Sequence, residues 1–178
     1  MKNFPVNIDG KEYWISRSVA VCGLVITNSN GLKILISKRG IGCPDEIGKW
    51  CCPCGYIDYG ETILEALWRE IAEETNLFIN CKQTNLVKID DNPKSNKQNI
   101  TFTYLTVSNE YKEQSIYPKG MEENEVEDVR WIDLKELDNY DFAFNHKELI
   151  ISIIKQNMNF YPISSWLDKE SLEYLKRH

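Results

Sequence analysis

The sequence predicts an α/β or α+β sandwich, a fold in which helices pack against a β-sheet. Short segments rich in β-branched residues alternate along the chain with a strongly amphipathic helical segment at residues 62–75. The chain has 178 residues, of which 42% are hydrophobic and 27% are charged. These values are typical of one globular domain with a substantial core.

The first two strands are predicted to form a hairpin. Residues 18–27, SVAVCGLVIT, are rich in β-branched side chains and predict a strand. The turn-forming segment NSNG follows at 28–31, and LKILISK at 32–38 predicts the partner strand. Residues 39–49 contain three glycines and a proline, so they predict a loop.

The helix at 62–75 is predicted from its hydrophobic periodicity, because Ile63, Leu67 and Ile71 recur at four-residue steps. Later segments predict three strands and two helices: 85–89, 100–107, 126–132, then 146–158 and 166–177. Polar residues at 90–99 and acidic residues at 121–128 predict loops. We therefore expect a single domain over residues 1–178, with a C-terminal helical extension from about residue 146.

Composition argues against several functional classes. The net charge of −6 disfavours a general nucleic-acid-binding surface, which needs a basic patch. No apolar run approaches the 18 residues of a membrane span, and the first residues, MKNFPVNIDGKEYW, lack the apolar core of a signal peptide. We expect a cytoplasmic protein that binds neither membrane nor nucleic acid.

Six cysteines include a CxxC motif formed by Cys51 and Cys54. A structural zinc site usually needs two paired groups of ligands, and His146 and His178 lie far away in the sequence. Reduced, buried and inert cysteines are therefore expected. A zinc- or redox-binding protein is an alternative that metal analysis would distinguish.

Three carboxylates crowd one side of the predicted helix. Glu70, Glu73 and Glu74 fall within an arc of about 100°, next to the apolar stripe. Like charges at this spacing cost a few tenths of a kcal/mol each. Either the carboxylates form a solvated acidic face, or a divalent cation lies among them. Mg²⁺ prefers such oxygen ligands.

The residues around these glutamates carry a longer pattern. From Gly55 to Leu77 the chain reads Gly, five residues, Glu61, seven residues, then REIAEETNL. This pattern resembles the Nudix box, the signature of the Nudix hydrolase family. Asn76 stands where the family has glycine, and asparagine tolerates the left-handed conformation that a helix end requires. Cys54 replaces the usual glycine just before the box.

Weaker similarity extends the resemblance to roughly residues 17–155, through EVEDVRWIDLKEL and FAFNHKELI. It implies an α/β/α sandwich around a mixed β-sheet, with the box forming a loop, a helix and a loop at the edge of the sheet. It also implies hydrolysis of a pyrophosphate linked to a nucleoside, with Mg²⁺ or Mn²⁺ as the cofactor.

The resemblance suggests a role for individual residues. Glu70, Glu73, Glu74 and the backbone carbonyl of Cys54 would bind the metal ion. Arg69 would orient Glu61 or a neighbouring glutamate through a bidentate pair. The general base would be Glu73 or a glutamate of the acidic loop, for which Glu125 is the first candidate and Glu122 and Glu123 are alternatives.

Substrate specificity is less clearly encoded. Arg39, Tyr56 and Phe142 are expected to contact a nucleotide-derived small molecule, with Tyr56 and Phe142 available for stacking on a base. The AFNH segment favours ADP-ribose or a dinucleotide by analogy alone. The sequence leaves a homodimer open. A non-catalytic sensor of nucleotide metabolites on the same fold is the alternative function.

Overall fold

The computed structural model describes residues 3–78, 84–94, 99–108, 124–159 and 163–178. Strands form a mixed sheet, which carries helices on its faces, and a separate N-terminal hairpin. The strands are β1 Phe4–Ile8, β2 Lys11–Ile15, β3 Val19–Asn28, β4 Leu32–Arg39, β5 Trp50–Cys51, β6 Cys54–Tyr56, β7 Thr84–Asp90, β8 Ile100–Val107 and β9 Val126–Asp133. The helices are α1 Ile63–Thr75, α2 His146–Asn157, α3 Ile163–Trp166 and α4 Lys169–Arg177, with a 3₁₀ helix at Leu134–Asn139.

Strands β3 and β4 form the centre of the sheet. They pair antiparallel as the predicted hairpin, and the strand order along the sheet is β5-β4-β3-β8-β7. Strand β8 runs parallel to β3, which makes the sheet mixed, while β6 pairs with β3 and β9 pairs with β4. The short strands β5 and β6 therefore bring the CxxC segment onto the two central strands.

Side chains of the central strands alternate between two cores. On β3, Cys22, Leu24 and Ile26 pack with α2, α3 and α4, whereas Val21 and Val25 pack with α1. This alternation is the period of a strand whose two faces are both covered. The predicted α/β/α sandwich around a mixed sheet is therefore confirmed.

A close approach of α1 to the sheet depends on Gly23. A Cβ atom at this position would lie 2.7 Å from Cδ1 of Ile71 and 3.3 Å from Cδ1 of Leu67. Ile71 and Leu67 are both fully buried. The missing side chain thus lets the apolar stripe of α1 contact the strand directly, which fixes the height of the helix over the sheet.

Some predicted boundaries were wrong. The last helix begins at Lys169 rather than at residue 166, because Trp166 ends the separate helix α3 and Asp168 caps α4 by accepting from Ser171 N at 2.7 Å. The hairpin of β1 and β2 and the short strands β5 and β6 were not predicted. Cys81, Glu122 and Glu123 lie outside the described residues.

In the part of the chain that the structure describes, we find no helix with both the length and the apolar character needed to cross a bilayer.

Candidate active site

Both ends of α1 are fixed by local interactions. At its start, Thr62 and Glu65 form a capping box, in which each side chain accepts from the other residue's backbone N–H. At its end, Asn76 has φ 53° and ψ 25°, and its N–H donates to the carbonyl of Ala72. The prediction of a left-handed asparagine at this position is confirmed. Helix α1 therefore presents its glutamates at a defined height and rotation.

The guanidinium of Arg69 connects three carboxylates. It donates from Nε and Nη2 to the two carboxylate oxygens of Glu61, at 2.8 and 3.0 Å. Its Nη1 donates to Glu70 at 2.8 Å and to Glu73 at 3.1 Å, and Nη2 also donates to the carbonyl of Tyr56. The pKa of Glu61 lies below its ordinary value, mainly because of the hydrogen bond from Arg69. Glu61 is thus an ionised anchor for the arginine.

Glu70 lies against the backbone of strand β6. A Cβ atom at Gly55 would come within 2.2–2.4 Å of the Glu70 carboxylate. Only glycine leaves room for that carboxylate in its present position. Burial raises the pKa of Glu70, and this exceeds the opposing effect of Arg69. A cation beside Glu70 would relieve that cost.

Glu74 points from α1 towards the sheet. Its carboxylate accepts from Ser37 Oγ at 2.6 Å and from the backbone N–H of Cys54 at 3.0 Å. The pKa of Glu74 is raised well above its ordinary value, first by burial and then by the nearby Cys51 thiol. Ser37 was not singled out in the sequence, where the only hint was one hydroxyl within the apolar strand LKILISK.

The donor set fits a hard divalent cation. Glu70 and Glu74 are carboxylates whose burial raises the free energy of their charged form, and Glu73 lies beside them on α1. Because Gly55 has no side chain, the Glu70 carboxylate lies directly against the backbone of β6, from which Cys54 N–H also donates to Glu74. Carboxylate and carbonyl oxygens are the ligands that Mg²⁺ and Mn²⁺ favour. The residues present therefore fit the ion that the box implies.

These groups line a cleft of about 1330 Å³. Arg69, Glu70, Glu73, Glu74 and Cys54 all contribute to its wall. Of the other predicted site residues, three also line it: Arg39, Tyr56 and Glu125. Glu61 is not among the lining residues and acts on them through Arg69.

Glu125 reaches the cleft because two loops are joined there. Its backbone carbonyl accepts from Gly40 N at 2.7 Å and from the thiol of Cys43 at 3.2 Å. The loop after β4 and the segment before β9 thus lie side by side. Glu125 is thereby brought to the same cleft as the helix carboxylates, although it lies far from them in the sequence.

The structure does not bring Phe142 to the cleft. Its side chain packs against the core, and its backbone forms a bridge with Trp50. Phe144 lines the cleft instead, with the guanidinium of Arg39 5.1 Å from its ring centroid. Phe144 has φ 55°, a rare conformation for a bulky residue. The sequence did not distinguish the two phenylalanines because the turn between them decides which one faces the cleft.

His146 lies among the cysteines of the cleft wall. The five cysteines that the structure describes, Cys22, Cys43, Cys51, Cys52 and Cys54, are free thiols. The His146 ring accepts at Nδ1 from the backbone N–H of Cys52, at 3.1 Å, and burial lowers its pKa to about 4. The histidine and the cysteines are far apart in sequence, which weighed against a metal site, but the fold makes them neighbours.

Comparison with known proteins identifies the chain. A family model described as the NUDIX domain matches residues 16–152. The chain belongs to the Nudix family. This result confirms the resemblance carried by the box.

Individual Nudix relatives agree with this assignment. The chain is 28% identical over 166 residues to an ADP-ribose pyrophosphatase of Methanocaldococcus jannaschii, an alignment that covers 84% of this chain and 89% of the relative. The predicted class of enzyme, a Nudix pyrophosphohydrolase, is confirmed by this relative together with the family match.

Two solved structures have a similar fold. One is the NUDIX domain of Shewanella oneidensis NrtR complexed with ADP ribose, with a TM-score of 0.64, 20% identity and coverage of 82% of this chain and 90% of that chain. The other is a bifunctional NMN adenylyltransferase/ADP ribose pyrophosphatase from Francisella tularensis complexed with AMP and a manganese ion, with a TM-score of 0.63 and 25% identity. It covers 79% of this chain and 42% of that chain.

Proposed function

We propose that this Nudix enzyme hydrolyses the pyrophosphate bond of a nucleoside diphosphate linked to a second moiety, with ADP-ribose or a dinucleotide as the substrate class. The observation that carries most weight is the Arg69 network, which holds Glu70 and Glu73 together on the wall of a large cleft. The cleft volume of about 1330 Å³ exceeds the roughly 300–1,000 Å³ of most small-molecule sites. A two-part nucleotide fits that size.

The metal ligands in this proposal are Glu70, Glu73, Glu74 and the carbonyl of Cys54. When bound, Mg²⁺ or Mn²⁺ neutralises the phosphate charge and acidifies a water molecule. Arg69 keeps the carboxylates from moving apart, because its Nη1 donates to both Glu70 and Glu73. Glu61 in turn fixes the orientation of the guanidinium through its bidentate pair with Arg69.

The attacking water must lose a proton to a nearby base. Glu73 and Glu125 are the two candidates, since both line the cleft. Glu61 is a poor candidate because both of its oxygens accept from Arg69 and its lowered pKa makes it a weaker base.

Contacts to the rest of the substrate come from other walls of the cleft. Arg39 is braced by two hydrogen bonds to Asp45, from Nε and Nη2, both at 3.1 Å. Its face lies against the Phe144 ring, so this pair offers a stacking surface for a nucleobase. Tyr56 is half exposed in the cleft wall, where its carbonyl accepts from Arg69, and it supplies a second aromatic surface.

A substrate panel tests the proposal. The purified protein is assayed with ADP-ribose, NADH, diadenosine polyphosphates, nucleoside triphosphates and sugar nucleotides, each with Mg²⁺ or Mn²⁺, by release of phosphate in a phosphatase-coupled assay. We expect the highest kcat/KM on ADP-ribose or a dinucleotide, and loss of turnover in excess EDTA. Turnover that persists in EDTA would contradict the metal assignment.

The first prediction concerns the carboxylates. Glu73→Gln and Glu74→Gln keep the shape of the side chain but remove its charge. We expect turnover to fall by roughly 100-fold or more, because a bound metal ion supplies several kcal/mol of charge stabilisation. Glu173→Gln is the control, since Glu173 is an exposed glutamate on α4. Full activity in either site variant would exclude that residue as a required ligand.

The same panel distinguishes an enzyme from a sensor. A non-catalytic sensor would bind one of these compounds, seen as a rise in melting temperature, without cleaving any of them under either metal. Binding together with turnover supports the hydrolase.

A further inference from the structure

Two sulfur atoms and an imidazole meet in the wall of the cleft. Ligand atoms of Cys51, Cys54 and His146 all lie within 4.8 Å of one another. Cys51 and His146 are buried, and all three residues line the cleft. We propose that Cys51, Cys54 and His146 form a second metal site, which binds Zn²⁺ beside the carboxylate site.

The fold, rather than the sequence, builds this group. Cys51, on β5, pairs with Ser37 of β4. Cys54, on β6, pairs with Cys22 of β3. The segment before α2 is tied to the same region, since Trp50 N–H donates to Asp141 O at 2.8 Å and Ala143 N–H donates to Trp50 O at 2.7 Å. His146, the first residue of α2, is therefore fixed against the cysteines.

The chemistry of these ligands separates the two sites. Thiolate sulfur and imidazole nitrogen favour Zn²⁺, whereas Mg²⁺ favours the oxygen ligands of Glu70 and Glu73. Three protein ligands leave a fourth position of a tetrahedral ion open, as in zinc sites that exchange a ligand. The open position would face the cleft, because the three residues line it.

Metal binding has a defined proton balance. Zn²⁺ replaces the protons of the two thiols, so two protons are released and two Zn–S bonds form. The imidazole binds through its unprotonated nitrogen. That nitrogen is Nδ1, since it accepts from the Cys52 N–H, and binding replaces this hydrogen bond. We therefore expect a zinc ion that a chelator removes, rather than one held permanently.

A second grouping, Cys22, Cys52 and His146, shares the same histidine. Cys22 and Cys52 are fully buried, and Cys52 does not line the cleft. Cys22 lines the cleft but Cys52 does not, so an ion entering from solvent meets all three ligands only in the group of Cys51, Cys54 and His146. The cleft-facing group is thus the assigned site.

Occupation of this site is coupled to the carboxylates. The Cys54 N–H and the Ser37 hydroxyl both donate to Glu74, and Ser37 Oγ lies 3.5 Å from the Cys51 sulfur. Because two protons leave as the ion enters, the net charge beside Glu74 does not change; instead, drawing the Cys51 and Cys54 sulfurs onto the ion displaces the Ser37 hydroxyl and the Cys54 N–H that position Glu74. Zn²⁺ is therefore expected to inhibit turnover that depends on Mg²⁺. Only the expected inhibition by Zn²⁺ rests on the proposed function; Zn²⁺ binding itself does not.

Cobalt binding tests the site independently of activity. The 178-residue protein, reduced and freed of metal with EDTA, is titrated with Co²⁺ and followed by absorption. We expect one equivalent to give thiolate-to-cobalt charge transfer with the ligand-field bands of tetrahedral Co²⁺, and Zn²⁺ to displace it. X-ray absorption of the Zn²⁺ form should count two sulfur ligands and one imidazole. A spectrum with oxygen ligands only would overturn the proposal.

Matched variants locate the ligands. Cys51→Ser should weaken Co²⁺ binding by at least about 100-fold, since loss of even a group that merely supports a ligand costs roughly 10–100-fold. Cys43→Ser is the control, because Cys43 also lines the cleft but its thiol donates to the Glu125 carbonyl. Unchanged binding in Cys51→Ser, or loss of binding in Cys22→Ala instead, would overturn the assignment. Inhibition by Zn²⁺ should disappear in Cys51→Ser.

Discussion

At the scale of single residues, Gly55 directly constrains Glu70, one of the proposed metal ligands. The position it leaves open is occupied by the Glu70 carboxylate, and that carboxylate is tied to Arg69 at 2.8 Å. Glu70 therefore cannot move aside without breaking its bond to the arginine that also holds Glu73. The glycine of the box acts here through its missing side chain, not through an unusual backbone conformation.

The second prediction follows from this contact. Gly55→Ala should reduce turnover by roughly 10- to 100-fold, because its Cβ displaces Glu70 and a displacement of about 1 Å in an active site has costs of this size. The melting temperature should change by only a few degrees, since Glu70 is a side chain at the cleft wall. Steady-state kinetics and thermal melts measure both effects.

A double variant provides the control for Gly55→Ala. If the methyl group acts through Glu70, adding Gly55→Ala to Glu70→Gln should lower turnover little further, because both changes disable the same carboxylate. Two losses that multiply would show that Gly55 acts by another route.

At the scale of elements, α1 is defined by its two caps. The capping box at Thr62 and the left-handed Asn76 set the first and last turns, and the glutamates lie in the turns between them. Capping groups of this kind contribute about 0.5–2 kcal/mol each. The directions of Glu73 and Glu74 thus depend on a residue that does not touch the cleft, since Asn76 follows them directly at the end of the helix.

The third prediction concerns Asn76. Asn76→Gly should be neutral or slightly stabilising, since glycine adopts φ 53° without a Cβ penalty. Asn76→Val should lose about 1–2 kcal/mol of stability, because a β-branched residue resists positive φ. Turnover should fall in the valine variant as the last turn shifts. A valine variant as stable and active as the parent would refute this account of the helix end.

At the scale of the whole molecule, the C-terminal helices belong to the main core. The family match ends at residue 152, yet Ile163, Tyr174 and Leu175 are buried in the same cluster as the central strands. The Tyr174 hydroxyl donates to Asp138 at 3.0 Å, which joins α4 to the 3₁₀ helix. The helical extension therefore stabilises the face of the sheet opposite α1.

The fourth prediction tests this role. Tyr174→Ala should cost about 3–5 kcal/mol of unfolding free energy, since a side chain only 1% exposed leaves a large cavity. Tyr174→Phe should cost only about 0.5–1.5 kcal/mol, the net value of one hydrogen bond. Urea unfolding measures both. Turnover per folded molecule should stay unchanged. If Tyr174→Ala lowers the free energy of unfolding only slightly, α4 is loosely attached to the core.

The sequence by itself determined the strands of the central hairpin, the helix of the box and the family. Each depends on short-range signals: alternation of β-branched residues, a four-residue period, and an asparagine that tolerates positive φ. These signals specify local conformation almost independently of the rest of the chain. The spacing of Glu61, Arg69 and Glu70 within the box likewise brings them together on or beside one helix, where their hydrogen bonds are made.

Only the tertiary structure decided which distant groups share the cleft. Ser37 reaches Glu74 across 37 residues, and His146, far along the chain, comes within 4.8 Å of the Cys51 and Cys54 sulfurs. Phe144 lines the cleft where Phe142 was expected, because the turn before α2 directs one ring into the core and the other outward. Such contacts depend on how strands pair and where helices dock on the sheet. No local pattern encodes them, since the contacting residues come from segments that meet only when the sheet has formed.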